Sequence, residues 1–126
     1  MTELDPSRKN LKDHLLTHAV RTGDFVLKSG RKSNWFIDGK QTACHPQGIK
    51  LVADIILSEI EGIDAIGGLT MGADPVAYGV AAIAADRGQP LRSFSIRKEA
   101  KDHGVEGRIA GALYKGDRVA IMEDVV

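Results

Sequence analysis

The sequence predicts an α/β domain with a parallel sheet flanked by crossover helices, and three observations carry that prediction. Ala65 to Leu69 is a short apolar strand, and Leu91 to Ile96, with Phe94 and Ile96 on one face, and Arg118 to Met122 read as further strands. Between the first two lies an alanine-rich stretch opened by Pro75 and closed near Gly88, the punctuation of a helix. Ahead of them, Ile49, Val52, Ile56 and Ile60 recur at spacings of three and four, so a further helix starts at Pro46 and ends at Gly62. Strands alternating with helices of this kind form a parallel sheet, with ligands beyond the carboxyl ends of the strands. Candidate sites therefore follow Leu69, Ile96 and Met122.

The remaining elements follow in chain order. Ser7 is the expected cap of a first helix whose apolar side carries Leu11, Leu15, Leu16 and Ala19, ending near Gly23. Phe25, Val26 and Leu27 form a short strand, Ser29 and Gly30 a turn, and Trp35, Phe36 and Ile37 a second strand, so the two pair as a hairpin. The charged segment 97–109 shows no clear period, and Tyr114-Lys115-Gly116-Asp117 reads as a turn before the last strand. No internal repeat or low-complexity linker divides the chain, so residues 1–126 read as one domain.

Composition narrows the class. A chain of 126 residues with 43% hydrophobic content suits a globular core. Its 17 basic residues balance 17 acidic ones, which argues against a nucleic-acid or membrane-surface protein. The single cysteine, Cys44, has no internal disulfide partner and no zinc-ligand spacing around it. With no apolar run suited to a signal peptide or a bilayer span, a soluble, cytoplasmic protein is expected. His14, His18 and His45 read as separate surface or helix-cap residues, and no protein metal site is expected.

Four segments carry chemistry. Glu123 and Asp124, followed by Val125 and Val126, leave the last strand where carboxylates can take ribose hydroxyls or a magnesium-bound sugar phosphate. Taken alone, they read equally well as a solvated acidic strand end. Arg97-Lys98-Glu99-Ala100-Lys101-Asp102-His103-Gly104 packs three cations and a histidine behind a strand end, a composition able to wrap pyrophosphate. Gly104 and Gly107 would let such a segment open and close, yet its acidic residues make a charged surface loop the better reading by composition. In the hairpin segment 27–36, the Ser29-Gly30 turn exposes backbone N–H groups suited to a carboxylate, and Phe36 offers a stacking face. Taken by itself, an ordinary hairpin with a basic turn is the better reading. Gly67 to Pro75 places small residues between strand and helix, where a phosphate can approach, or where glycines merely make a tight turn.

Their identity and order together are more specific. L-K-S-G-R-K-S-N-W-F, G-G-L-T-M-G-A-D-P, R-K-E-A-K-D-H-G and I-M-E-D-V-V resemble, in chain order from about Phe25 to Val126, the orotate phosphoribosyltransferase family. The resemblance implies the type I phosphoribosyltransferase fold, with an N-terminal helix and hairpin. It implies transfer of the phosphoribosyl group of phosphoribosyl pyrophosphate to orotate, giving orotidine monophosphate and pyrophosphate. Arg97, Lys98, Lys101 and His103 match the family's mobile catalytic loop, Lys28 a lysine contacting phosphoribosyl pyrophosphate, and Phe36 an aromatic at the orotate ring. Ser29 and Gly30 are then expected beside orotate. Glu123, Asp124, Val125 and Val126 open the phosphoribosyl-binding motif, with Lys101, His103 and Asp124 in catalytic roles. The resemblance also implies magnesium, bound mainly through the substrate's pyrophosphate, and a homodimer with shared active sites.

Two departures from the family pattern stand out. Some relatives carry a lysine where this chain has Met71-Gly72-Ala73. The family motif also continues past the acidic pair into a Thr- and Gly-rich loop that holds the ribose phosphate, whereas this sequence ends at Val126. The chain is therefore expected to be incomplete at its C-terminus, and as it stands to have negligible transferase activity. A non-catalytic ligand-sensing regulator on the same fold is the alternative, but it would not need Lys101 and His103. A Rossmann-type nucleotide-binding domain is disfavoured because no G-x-G-x-x-G follows the first long strand.

Overall fold

The computed structural model describes residues 4–100 and 107–125. Helix α1 spans Pro6–His14, and its last turn widens into a π turn over Leu15–Ala19. Strands β1 (Val20–Val26) and β2 (Lys32–Ile37) pair antiparallel as the expected hairpin. A short helix α2 (Lys40–Ala43) precedes α3 (Pro46–Glu59). Then come β3 (Ala65–Leu69), α4 (Asp74–Asp86), β4 (Arg92–Ile96), β5 (Ile109–Gly111) and β6 (Val119–Ile121).

Three sequence expectations are corrected at the N-terminal end. The cap of α1 is Asp5 and not Ser7: Asp5 accepts the Arg8 N–H at 3.0 Å, and Pro6 occupies the first helical position. Proline there has a suitable φ, lacks a donor the helix would leave unpaired, and holds the preceding residue extended, as a cap must be. The helical stretch ends at Ala19 rather than near Gly23, which instead lies within β1 at φ 149°, where the hairpin register shifts between Thr22 and Phe25. A glycine there serves a bulge, not a helix stop.

The third correction concerns the histidines. They do not stand apart: the His14 and His18 ring centroids are 4.3 Å from each other and 4.8 and 4.9 Å from His45. His14 and His18 are one turn apart, while His45 reaches them because it caps α3, which packs against α1.

The main sheet has strand order β5-β4-β3-β6. β3 pairs parallel with both β4 and β6, while β5 runs antiparallel to β4. The expected parallel sheet thus acquires an antiparallel edge strand, too short at three residues to show a period. Helices α3 and α4 pack together over this sheet, burying Ala53, Ile66, Ala77, Val80, Ala84, Leu91 and Ala120. Burial of a side chain such as Ile66 or Val80 contributes about 1.5–3 kcal/mol. Among the described residues, no helix is long and apolar enough to cross a membrane.

The far end of the sheet is tied down by charge. Arg92 makes two parallel hydrogen bonds to Asp117, at 2.7 and 2.8 Å, and its guanidinium lies 4.0 Å over the Tyr114 ring. Asp117 also accepts the Tyr114 N–H at 2.7 Å, fixing the turn before β6. The Arg92 hydrogen bond, and then the backbone one, hold the Asp117 carboxyl below its ordinary range. Asp117→Asn is therefore expected to lower the unfolding temperature by roughly 5 °C, measured by calorimetry at neutral pH. Because the folded-state pKa is depressed, this stabilisation is present above the ordinary carboxylate value and lost as pH falls through the folded one. The gap between variant and parent should narrow correspondingly in acid.

Candidate functional site

β3, β4 and β6 run parallel, so their carboxyl ends open along one edge of the sheet. All three candidate positions read from the sequence meet there. β3 delivers Leu69, Thr70, Met71 and Gly72, β4 leads to Lys98, and β6 leads to Glu123, Asp124 and Val125. The hairpin brings Lys28 and Phe36 over the same edge, and the link into α2 adds Asp38, Gly39 and Lys40. Together these residues line a cleft of about 620 Å³.

The turn after β3 is pinned by side chains. Thr70 donates to Asp74 at 2.6 Å, Ser95 donates to the other Asp74 oxygen at 2.7 Å, and Tyr78 hydrogen-bonds Ser95. Asp74 is in the first turn of α4, where negative charge is favoured. The turn backbone then passes so close to Asp124 that a Cβ on Gly72 would collide with the Asp124 carboxylate. A side chain at that position would push the carboxylate from its present place.

Asp124 has a second neighbour that sequence reasoning did not single out. Lys40 donates to its carboxylate at 2.8 Å, with side-chain exposures of 41% for Lys40 and 23% for Asp124. That hydrogen bond holds the Asp124 carboxyl below its usual range and the Lys40 ammonium above its own, each against the opposing effect of burial. Glu123 turns back on its own backbone, accepting the N–H of Asp124 at 2.9 Å and of Val125 at 3.2 Å. The cleft therefore presents an ionised carboxylate beside three lysines, Lys28, Lys40 and Lys98. Such a surface can hold a polyanion by its phosphates and a sugar by its hydroxyls.

Six residues nominated from the sequence are gathered in the cleft: Lys28, Phe36, Lys98, Glu123, Asp124 and Val125. Phe36 is braced edge-on by Phe25, with centroids 4.6 Å apart. Ser29 and Gly30 are not among the lining residues, because the chain reverses beyond Lys28 and leaves them on the exposed hairpin turn. Arg97 is held in the β4–β5 edge, where its N–H donates to the Arg108 carbonyl at 2.6 Å and its guanidinium to the Ile109 carbonyl at 3.4 Å. Lys101, His103 and Val126 lie outside the described residues. Lys40 had one sequence signal, the Asp38-Gly39 pair directly after a strand, which marks a turn at the sheet edge.

The Lys40–Asp124 pair predicts a pH effect. Lys40→Met removes the first cause of the depressed Asp124 pKa, so that carboxyl should titrate at higher pH, nearer the ordinary range. Carboxyl NMR of the variant checks this, and an unmoved Asp124 titration would show that Lys40 does not control its charge.

No protein-family model matches the chain. Curated proteins do. The chain is 43% identical over 121 residues to the orotate phosphoribosyltransferase of Nostoc sp., covering 94% of the chain and 59% of that protein. With the orotate phosphoribosyltransferase of Streptomyces avermitilis it shares 37% identity over 123 residues, 96% of the chain and 68% of that protein. Among solved structures it is similar to Mycobacterium tuberculosis orotate phosphoribosyltransferase in complex with Fe(III) dicitrate, with a TM-score of 0.78 and 33% identity over 94% of the chain and 67% of the other. The same mycobacterial protein in complex with 5-phospho-alpha-D-ribosyl 1-diphosphate gives a TM-score of 0.71 at 28% identity, over 94% of the chain and 65% of the other. The chain thus spans about 59% of the length of the Nostoc protein.

Proposed function

The chain belongs to the orotate phosphoribosyltransferase family and has the type I phosphoribosyltransferase fold, and on that footing we propose that it supplies the catalytic cleft of an orotate phosphoribosyltransferase. The reaction is transfer of the phosphoribosyl group from phosphoribosyl pyrophosphate to orotate, giving orotidine monophosphate and pyrophosphate in UMP biosynthesis. The observation that carries this reading is the meeting of Lys28, Phe36, Lys98, Glu123 and Asp124 in one cleft.

Each residue has a task set by its charge and place. Lys28 and Lys98 attract the pyrophosphate, while Phe36 lies against the planar orotate ring. Asp124, ionised beside Lys40, accepts hydrogen bonds from the ribose hydroxyls and steadies positive charge growing on the sugar. Lys101 and His103, on the segment that resembles the family's catalytic loop, neutralise the departing pyrophosphate. Arg97 anchors the root of that segment through its bonds to Arg108 and Ile109. The oxygen donors in the cleft suit magnesium, but Asp124 is engaged by Lys40 and Glu123 by backbone N–H groups. Magnesium would accordingly be held mainly through the substrate's pyrophosphate and would there supply positive charge to the leaving group. The working enzyme is a cytoplasmic homodimer in which each subunit's loop completes its neighbour's site.

A panel of bases tests the proposal. An enzyme of full family length carrying this sequence, given magnesium and phosphoribosyl pyrophosphate, is expected to release pyrophosphate with orotate and not with uracil, adenine or hypoxanthine. Release with a purine instead, or with no base at all, would overturn the assignment.

A further inference from the structure

Away from the cleft, the structure gathers three imidazoles that the proposed reaction does not use. His14 stands at the end of α1, His18 in the π turn that follows, and His45 at the N-cap of α3. One ring nitrogen from each lies within 4.8 Å of the other two. We propose that His14, His18 and His45 form a binding site for a late first-row divalent cation such as zinc.

Two features support the site. His14 is only 8% exposed, and its Nε2 is a buried polar atom with no hydrogen-bond partner among the described residues. Leaving such an atom unpaired is costly, and coordination would satisfy it. The opposite ring nitrogen, Nδ1, is 3.0 Å from the Thr42 hydroxyl, an outer partner of the kind that fixes the tautomer of a ligating histidine.

The chemistry of the donors selects the ion. All-imidazole sites suit zinc, copper and nickel, whereas magnesium and calcium require oxygen ligands. Nitrogens bound tetrahedrally at zinc distances stand about 3.3 Å apart. The cluster must therefore tighten from its present spacing, and the exposed His18 has room to swing inward. His45 Nδ1 now accepts the Gln47 N–H over a long 3.3 Å. Ligation through the other His45 nitrogen would protonate Nδ1 and release that bond. The ion would fasten α1 to the start of α3. Through Thr42 it would also steady α2, whose Lys40 reaches Asp124.

The test is zinc titration of the untagged, chelator-stripped protein against a chromophoric indicator. One zinc should bind with micromolar or tighter affinity, raising the unfolding temperature by several degrees and shifting the Gln47 amide resonance. His18→Ala should fold normally and weaken binding about tenfold or more. His45→Asn removes the imidazole but keeps a good cap, and should do the same. Cys44→Ser and excess magnesium should change nothing. Copper in place of zinc should show nitrogen hyperfine coupling in its EPR spectrum. Absence of micromolar zinc binding overturns the proposal, as does binding that survives both histidine variants or is lost with Cys44→Ser.

Discussion

Lys101→Ala, in an enzyme of full family length carrying this sequence, should lower kcat by about a hundredfold or more while KM for either substrate changes far less. Cleavage at the sugar C1 leaves an oxocarbenium-like ribose and a pyrophosphate whose charge grows as the bond lengthens. A cation placed where that charge develops acts most strongly in the transition state, so its loss appears in turnover rather than in binding. Lys101 is singled out by R-K-E-A-K-D-H-G, the stretch most distinctive of the family resemblance. Steady-state kinetics measured against both substrates check the expectation. Undiminished turnover would remove Lys101 from the mechanism.

The second large effect concerns assembly. If the loop of one subunit covers its neighbour's site, Lys101 and Asp124 belong to different subunits of the same active site. Lys101→Ala and Asp124→Asn homodimers should then both be nearly inactive. In a mixed dimer, the intact loop of the Asp124→Asn subunit meets the intact acidic pair of the Lys101→Ala subunit, so one site is whole and the other carries both defects. With equal mixing about half the dimers are mixed, and roughly a quarter of normal activity should return, as two-fold symmetry requires. Unfolding and refolding the variants together, then assaying against each alone, measures this. Full exchange with no recovered activity would place the loop over its own subunit. The Asn substitution retains an acceptor for Lys40, which keeps the comparison to a change of charge.

How far the sequence disclosed this site depends on whether a residue's role is local. The strand at Ala65–Leu69 and the helix opened by Pro75 were legible because each is a continuous apolar run with its own stop signals. Parallel strands then fix the end at which ligands gather, so the meeting of Lys98, Glu123 and Asp124 followed from topology. The four-residue α2 and the three-residue β5 are too short to carry a period and leave no pattern in the sequence. Lys40 is hidden in the sequence for a different reason. Its partner Asp124 is 84 positions away, and no spacing rule connects them. The histidine cluster was hidden in the same way, since residue 45 meets residues 14 and 18 only after α3 packs on α1. Ser29 and Gly30 show the opposite limit: the turn itself is legible, but the Gly30 N–H is taken by the Leu27 carbonyl, and which way the turn faces depends on the hairpin's docking.

A crystal structure of an enzyme of full family length carrying this sequence, with magnesium, phosphoribosyl pyrophosphate and an unreactive orotate analogue, tests the assignment of the cleft. The pyrophosphate is expected by Lys28 and Lys98, the ribose hydroxyls on Asp124, and the analogue's ring against Phe36. Ligand density instead in the hollow on the hairpin at Asp24, Phe25 and Ser33, with the cleft holding only water, would contradict it.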